Sequence, residues 1–172
     1  YKKLCTKKEF NKLEKNLLFL DEDFPCHSDY ERQGLSPNIN EVNYFKEMNN
    51  CLTIISSKFN LDPYVKLHPR ANFAKSQALY EINITQEETA KFISKSNLVI
   101  AHCSTAIQLA VLFYKPIILI EPNELSESTP WYLTIRNFCK LLDIQSFKSQ
   151  DIYKLKVFPK VNKKKYNTYI EK

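Results

Sequence analysis

Three short runs of apolar residues place the tightest limit on the fold of this chain. They are NLLFLD (residues 16–21), LVIA (residues 98–101) and PIILI (residues 116–120). A strand whose successive residues are all apolar buries both of its faces, which is typical of parallel sheets covered by helices on both sides. We therefore predict that these runs are the central strands of a parallel sheet between two helical layers.

Amphipathic segments lie between these runs. After the first run, apolar residues recur at steps of three and four, and Asn40 stands at the position of a helix N-cap. We expect this helix to end before Pro63, residues 64–67 to form a strand, and a small strand to lie near residues 79–84. The recurring residues are Val42, Phe45, Met48, Leu52, Ile55 and Phe59.

Capping signals predict three further helices. Thr85 with Glu88 forms a capping box for a helix that runs to about Lys95, and a second helix opens at residues 102–105. Thr129 followed by Pro130 begins the third. We expect that helix to turn four side chains inward, namely Leu133, Phe138, Leu141 and Leu142.

This order of elements predicts the fold class. Strands that alternate with helices, joined by right-handed crossovers, give an α/β, Rossmann-like, doubly wound parallel sheet. The length of 172 residues suits one domain over residues 1–172. We expect its core to span about residues 16–143 and the weakly patterned residues 144–172 to wrap the outside.

The single glycine, Gly34, limits how the chain could hold a phosphate. A G-x-G-x-x-G turn and a Walker A loop both need several glycines, so neither is present. A phosphate site here has to use a helix N-terminus, hydroxyl groups and basic side chains instead.

Polar residues follow the predicted strands where a doubly wound sheet binds its ligands. Ser104 and Thr105 open a helix, and the alternative is that Ser104 only caps it. His68 and Arg70, stiffened by Pro69, can both donate hydrogen bonds to a phosphate. These segments are expected at the same edge of the sheet.

Three further features of that edge have two interpretations each. His102 is either a ligand contact or a packed ring, and Glu121 either accepts from ribose hydroxyls or is an exposed loop acid. The acids after the first strand either include a general base or are solvated; they are Asp21, Glu22, Asp23 and Asp29. His27 has no visible partner in the sequence.

Composition excludes several other classes of site. Acidic residues are mixed with basic ones through the middle of the chain, so the net charge of +6 does not indicate a nucleic-acid-binding surface. The five cysteines form no C-x-x-C pair, and we expect reduced thiols and no metal site. No apolar run is long enough for a transmembrane helix. Lysines near both ends leave peripheral membrane association open; they are Lys2, Lys3, Lys7, Lys8 and Lys163 to Lys165.

The chain resembles a known enzyme family over residues 17–123. The segment VKLHPR, followed further along by SNLVIAHCSTAIQLAVLFYKPIILIEP, is similar to the C-terminal, nucleotide-binding half of GT-B glycosyltransferases. The pattern is that of bacterial sialyltransferase and capsule or lipooligosaccharide enzymes, which carry an HP motif and a later Ser-Ser/Thr motif. The resemblance assigns His68 and Pro69 to the first motif and Ser104 and Thr105 to the second.

The resemblance implies a function and a set of site residues. The chain would be the donor-binding half of a metal-independent glycosyltransferase that moves a sugar from a nucleotide-activated donor, such as CMP-sialic acid, to a bacterial surface glycan. His68 would be the catalytic residue, stabilising the departing phosphate. The nucleotide and phosphate would be bound by His68, Pro69, Arg70, His102, Ser104, Thr105 and Glu121, with no cofactor.

The resemblance also implies partners. The partners would be the nucleotide-activated sugar, the glycan acceptor and an N-terminal GT-B half. Because Met48 is the only methionine, we expect this chain to be part of a longer protein and to be inactive without that half. The reduced thiols, and not the resemblance, predict a cytoplasmic protein, and the basic ends leave a position at the inner face of the membrane open. Two alternatives stay open: a GT-B-like sugar-nucleotide 2-epimerase or polyol-phosphate transferase, and a non-catalytic Rossmann-like binding module.

Overall fold

The described residues form a six-stranded parallel sheet. The computed structural model describes residues 15–27, 29–30, 34 and 38–171. The strand order is β3-β2-β1-β4-β5-β6 and every neighbouring pair is parallel. The strands are β1 (Asn16–Leu20), β2 (Asp62–Lys66), β3 (Asn83–Ile84), β4 (Ser96–Ala101), β5 (Ile117–Glu121) and β6 (Gln145–Lys148).

Helices connect these strands and cover the sheet. Short 3-10 turns occupy Phe24–Cys26 after β1 and Ser149–Lys154 after β6. The helices are α1 (Glu41–Phe59), α2 (Phe73–Leu79), α3 (Thr89–Lys95), α4 (Ile107–Leu112), α5 (Pro130–Leu142) and α6 (Lys163–Ile170).

The winding of the chain reverses between β1 and β4. The chain moves from β1 outward to β2 and β3, then returns to the other side of β1 with β4 and continues to β5 and β6. Leu20 pairs with Lys66 on one side and with Ala101 on the other, so β1, β2 and β4 end at the same level. The prediction of an α/β, Rossmann-like, doubly wound parallel sheet is confirmed.

The three apolar runs are central strands, as predicted. Every residue of β1 and β5 is buried, and so is every residue of β4 except Asn97. Burial of large apolar side chains on both faces of these strands is the main stabilising contribution to the fold. The sheet therefore packs against helices on both sides.

Helix α1 confirms one prediction and corrects another. It begins after Asn40, whose side-chain oxygen accepts a hydrogen bond from the Asn43 backbone N–H at 3.1 Å. Val42, expected inside, is 66% exposed, whereas Tyr44 is buried. The buried face of the helix starts two residues later than predicted. A helical period determines the spacing of the buried residues, but it does not determine which residue is the first of them.

Local signals misplaced several elements around β2 and β3. Pro63 lies inside β2, and α2 was not predicted at all. Thr85 does not form a capping box; its hydroxyl accepts from the Glu87 backbone N–H at 3.2 Å, and α3 begins at Thr89. Likewise, α4 begins at Ile107, after a turn over residues 102–106.

Helix α5 starts where its sequence predicts but faces differently. Thr129 accepts from the Tyr132 backbone N–H and Pro130 is the first helical residue. Leu133 and Leu141, expected inside, are exposed. The buried side chains are Trp131, Ile135 and Leu142, and Phe138 is half-buried.

The C-terminal residues contribute to the core, so the expected core boundary at 143 is too early. Strand β6 extends the sheet beside β5, and Ile152 and Leu155 are buried. Tyr166 of α6 is fully buried and its hydroxyl donates to the backbone oxygen of Lys115 at 3.0 Å. These elements were not predicted because their sequences are largely polar and show no clear hydrophobic periodicity.

The described residues include no helix long and apolar enough to cross a bilayer. Of the predicted basic ends, Lys2, Lys3, Lys7 and Lys8 lie outside the described residues. Lys163 to Lys165 form the exposed first turn of α6.

The burial of Tyr166 predicts that Tyr166→Ala destabilises the whole domain. Removing a buried aromatic side chain leaves a cavity and costs about 3–5 kcal/mol of unfolding free energy. Urea unfolding followed by circular dichroism measures this loss. Tyr153→Ala is the matched control, since Tyr153 is exposed and its loss should cost about 0.5 kcal/mol or less. Equal, small effects of both substitutions would contradict a structural role for α6.

Candidate functional site

A cleft of about 590 Å³ lies at the carboxyl ends of β1, β2 and β4. This is the position at which doubly wound sheets bind ligands, because the helices on either side of the reversal point diverge. Side chains from all three strand ends line it, together with residues from α3 and α5. The polar ones are Asp21, Glu22, His27, Asp29, Lys66, His68, Arg70, Thr89, Ser104, Thr105 and Thr134.

A second hollow of about 690 Å³ lies at the opposite end of the sheet, at the start of β5 and β6. Its wall is largely one backbone segment, residues 157–163. It does not bring together the ends of several strands, and no residue that the sequence singled out as a candidate ligand contact lines it. The cleft at the carboxyl ends is therefore the better candidate site.

His68 enters this cleft from the turn after β2, beside Pro69 and Arg70. The Arg70 backbone N–H donates to Nδ1 of His68 at 3.3 Å, so the neutral ring carries its hydrogen on Nε2. Burial lowers the pKa of His68, and the neighbouring Arg70 lowers it further. His68 thus offers a neutral N–H donor at neutral pH, and the exposed Arg70 adds a positive charge.

His27 repeats this arrangement in the same cleft. The Asp29 backbone N–H donates to its Nδ1 at 3.2 Å, and its Nε2 lies 4.0 Å from Oε2 of Glu22. The ring centroids of His27 and His68 are 5.3 Å apart. Sequence reasoning did not include His27 among the site residues, and its only signal was its place in the loop that also carries the acids.

Ser104 and Thr105 both line the cleft, at the turn between β4 and α4. The Ser104 hydroxyl accepts from the Ala106 backbone N–H at 3.2 Å within this turn. The N-cap residue of α4 is Ala106, which makes no side-chain capping bond, so Ser104 is not the cap of that helix. The Glu22 carboxyl lies beside this hydroxyl. Burial raises the pKa of Glu22 and the nearby acids raise it further, whereas the hydrogen bond to Ser104 lowers it.

His102 does not line the cleft, and the expectation that it binds phosphate is corrected. Its ring is fully buried and packs against Phe19 and Phe24. Both ring nitrogens already have partners, the Tyr44 hydroxyl at 2.9 Å and the Ile120 backbone oxygen at 2.6 Å. The packed-ring interpretation is the correct one, because the residue that directly follows β4 has its side chain in the core.

Glu121 is also corrected, as neither a ribose ligand nor an exposed loop acid. It is 2% exposed and accepts two hydrogen bonds from Nη2 of Arg136, at 2.5 and 2.6 Å. Arg136 in turn lies over the ring of Tyr132, 4.6 Å from its centroid. Both carboxylate oxygens are occupied, so Glu121 is a structural ion-pair partner of α5.

The acids after β1 are not a solvated cluster. Asp21 is 3% exposed and Asp23 is also buried. Asp23 has a left-handed backbone, with φ of 51°. Burial chiefly raises the pKa of Asp23 to about 6, and Glu41 and, when it is ionised, Asp21 add to the rise. The turn thus holds two buried carboxyl groups, and Asp21 is the one that lines the cleft.

No group of three or more metal-binding side chains comes together among the described residues. The cleft instead combines carboxyl groups with imidazole, guanidinium, ammonium and hydroxyl donors. Such a set can hold an anionic ligand by hydrogen bonds and charge.

Comparison with solved structures shows which known fold this chain has. The chain is similar to the UDP-GlcNAc 2-epimerase of Methanocaldococcus jannaschii, whose crystal structure holds UDP-GlcNAc and UDP. The TM-score is 0.54 at 15% sequence identity, and the match covers 98% of this chain and 49% of that chain. The chain thus has the fold of one half of a GT-B-type structure and spans about half the length of this neighbour. No protein-family model and no curated protein sequence matches the chain.

The buried charge of Asp23 predicts that Asp23→Asn stabilises the domain in a pH-dependent way. The pKa of Asp23 is about 6 in the folded chain against 3.8 for an ordinary aspartate, so stability is lost as the pH rises through this window. The variant should exceed the native chain by about 1–2 kcal/mol of unfolding free energy at pH 7, after discounting for partial screening by solvent. The gain should fade towards pH 4.

Unfolding by urea at pH 7 and pH 4 measures this difference. Asp143→Asn is the control, because Asp143 has the same left-handed backbone, with φ of 57°, but an exposed side chain. A gain at Asp23 that does not change with pH would show that the backbone preference of asparagine, and not the buried charge, is responsible.

Proposed function

We propose that this chain is the donor-binding half of a GT-B-type glycosyltransferase and that its cleft binds a nucleotide-activated sugar. The observation that supports this most is the convergence of His68, Arg70, Ser104 and Thr105 on one cleft. That cleft lies at the reversal point of a sheet with the fold of a GT-B half. The HP and Ser-Thr segments are about 35 residues apart in sequence but share this wall.

The chemistry of these donors suits a phosphate. Nε2 of His68 carries a hydrogen, Arg70 can donate through two N–H groups at once, and both hydroxyls can donate as well. In a sugar transfer the bond between the sugar and the phosphate breaks, and negative charge grows on the departing nucleotide. Donors already in position for that charge lower the barrier, and His68 is the residue to which we assign this catalytic role.

The carboxyl groups of the cleft oppose an anion only when they are ionised. Glu22 lies beside Ser104, where a phosphate would enter, and burial raises its pKa. A raised pKa lessens the negative charge that Glu22 presents to a phosphate at a given pH.

The finer assignments extend this proposal. The resemblance of the two motifs favours a CMP-linked acidic sugar such as CMP-sialic acid, an acceptor in a bacterial capsule or lipooligosaccharide, and a reaction without metal. Transfer would require a second GT-B half, which would supply the acceptor site across the cleft. Lysines of the N-terminal segment and of α6 would hold the enzyme at the inner face of the membrane.

The proposal predicts that the chain binds one nucleotide and that two substitutions weaken this binding. Calorimetric titration with CMP, CDP, UDP and GDP, with and without magnesium, identifies the nucleotide; we expect CMP to bind and magnesium to have no effect. His68→Ala and Ser104→Ala should each cost about 1–3 kcal/mol of binding free energy, which is roughly a 5- to 150-fold weaker affinity.

Matched controls separate this loss from general damage. Ser126→Ala removes a hydroxyl from the exposed loop before α5, outside the cleft, and should leave the affinity unchanged. Circular dichroism confirms that each variant is folded. Absence of binding for all four nucleotides, or affinities unchanged in both cleft variants, would contradict the proposed site. Tight binding of UDP with no binding of CMP would contradict the sialyltransferase assignment alone.

A further inference from the structure

A continuous chain of hydrogen bonds runs from the cleft into the core. Oδ1 of Asp21 lies 2.5 Å from the Tyr44 hydroxyl oxygen, and that oxygen lies 2.9 Å from Nε2 of His102. Nδ1 of His102 lies 2.6 Å from the backbone oxygen of Ile120. Asp21 also lines the cleft, whereas Tyr44 and His102 are almost completely inaccessible to solvent.

Counting protons along this chain gives a definite result. Each of its three hydrogen bonds needs one hydrogen. The Ile120 oxygen can only accept, so the bond at that end uses the hydrogen on Nδ1 of His102. The Tyr44 hydroxyl supplies one more, and a neutral His102 has no second hydrogen to give. One of the three bonds therefore lacks a hydrogen unless an additional proton resides on Asp21 or on Nε2 of His102.

Burial decides between these two places. With the proton on Asp21, every group in the chain is neutral: the carboxyl donates to Tyr44, Tyr44 donates to Nε2 of His102, and His102 donates to Ile120. With the proton on His102, a buried carboxylate and a buried imidazolium are created, and both must give up their hydration. The pKa of Asp21 is raised and that of His102 is lowered to about 4, in each case chiefly by burial.

The groups around Asp21 do not reverse this preference. The Asp23 backbone N–H, which donates to Oδ1, the Tyr80 hydroxyl and the charge of a protonated His68 all favour an ionised Asp21, but burial outweighs them and its pKa is raised. His68 favours an ionised Asp21 only when it is itself protonated, and its own pKa is lowered. Asp23 and Glu22, when ionised, oppose a charge on Asp21. The surroundings of His102 are the rings of Phe19, Phe24 and Tyr44.

We propose that Asp21, Tyr44 and His102 share one additional proton, which rests on Asp21 and makes it a neutral carboxylic acid in the wall of the cleft. Tyr44 and His102 are positioning residues, since they touch only Asp21, each other and the core. If Asp21 loses this proton, the Tyr44 hydrogen turns to the carboxylate, and the Tyr44 oxygen then faces a bare nitrogen of His102. Ionisation of Asp21 is thus coupled to protonation of a buried histidine 81 positions away in the sequence.

The proposal has a consequence for the ligand, and only this consequence rests on the proposed function. A neutral Asp21 adds no negative charge at the base of the cleft, so a phosphate held by His68 and Ser104 is not repelled from below. The same carboxyl is also no proton acceptor while its proton is in place. The proton count itself stands on the three hydrogen bonds, whatever the cleft binds.

Carbon and nitrogen nuclear magnetic resonance of the 172-residue chain tests the proposal without any ligand. At pH 6 an ordinary aspartate is about 99% ionised. We expect the Asp21 carboxyl carbon to show the shift of a mainly protonated acid at this pH, in contrast to the shift of an ordinary ionised aspartate. The ring nitrogens of His102 should show a hydrogen on Nδ1 and none on Nε2. Through-bond correlation from the backbone assigns these signals in the native chain.

Two variants sharpen the test. Asp21→Asn places a neutral N–H donor where the carboxylic acid stands, so the His102 nitrogen shifts should stay as they are. Tyr80→Phe removes a neighbouring hydroxyl that favours the ionised form of Asp21, so Asp21 should stay protonated in this variant. An ionised Asp21 at pH 6 in the native chain would overturn the proposal. A His102 ring that is doubly protonated in the native chain and becomes neutral in Asp21→Asn would also overturn it.

Discussion

The pairing of β1 with β4 is the interaction on which the rest of the structure depends. It joins the two halves of the winding, and its residues are almost all buried because helices cover both faces. Because both strands end at the same level, their following loops open onto a common space. The cleft, the buried acids and the Ser-Thr turn all lie at the carboxyl ends of these two strands. The strand pair that stabilises the fold therefore also positions the candidate site.

The sequence predicted the strands of the centre better than the elements of the edges. A run such as PIILI can only be buried on both faces, whereas QSFK of β6 is partly exposed and carries no such signal. The N-caps at Asn40 and Thr129 were predicted correctly, because only a few residue types have a side chain that can accept a hydrogen bond from a backbone N–H of the first helical turn. The inward faces were less certain, as Val42 and Leu133 show, because apolar residues at the margin of a stripe are compatible with either side.

The sequence predicted where the candidate site lies, but it did not predict which residues belong to it. A strand end tells where a polar residue lies along the sheet, and on that basis His68, Arg70, Ser104 and Thr105 were placed together. It does not tell whether the side chain finds a partner inside the protein. His102 and Glu121 found such partners in Tyr44 and Arg136, which come from other elements and have no signal near them in the sequence.

The two ring nitrogens of His68 have different roles: one maintains the conformation of the loop, and the other can donate a hydrogen bond to a ligand. Nδ1 accepts a hydrogen bond from the backbone N–H of Arg70, as the side-chain oxygen of an aspartate does in an Asx turn, while Nε2 carries the hydrogen of the neutral ring. An ionised aspartate at this position could accept the same backbone N–H and so preserve the loop, but it would have no hydrogen to donate to a ligand. A related chain could therefore lose ligand binding at this cleft while its fold stays the same. The conformation of the loop would then not show whether the cleft of that chain binds a ligand.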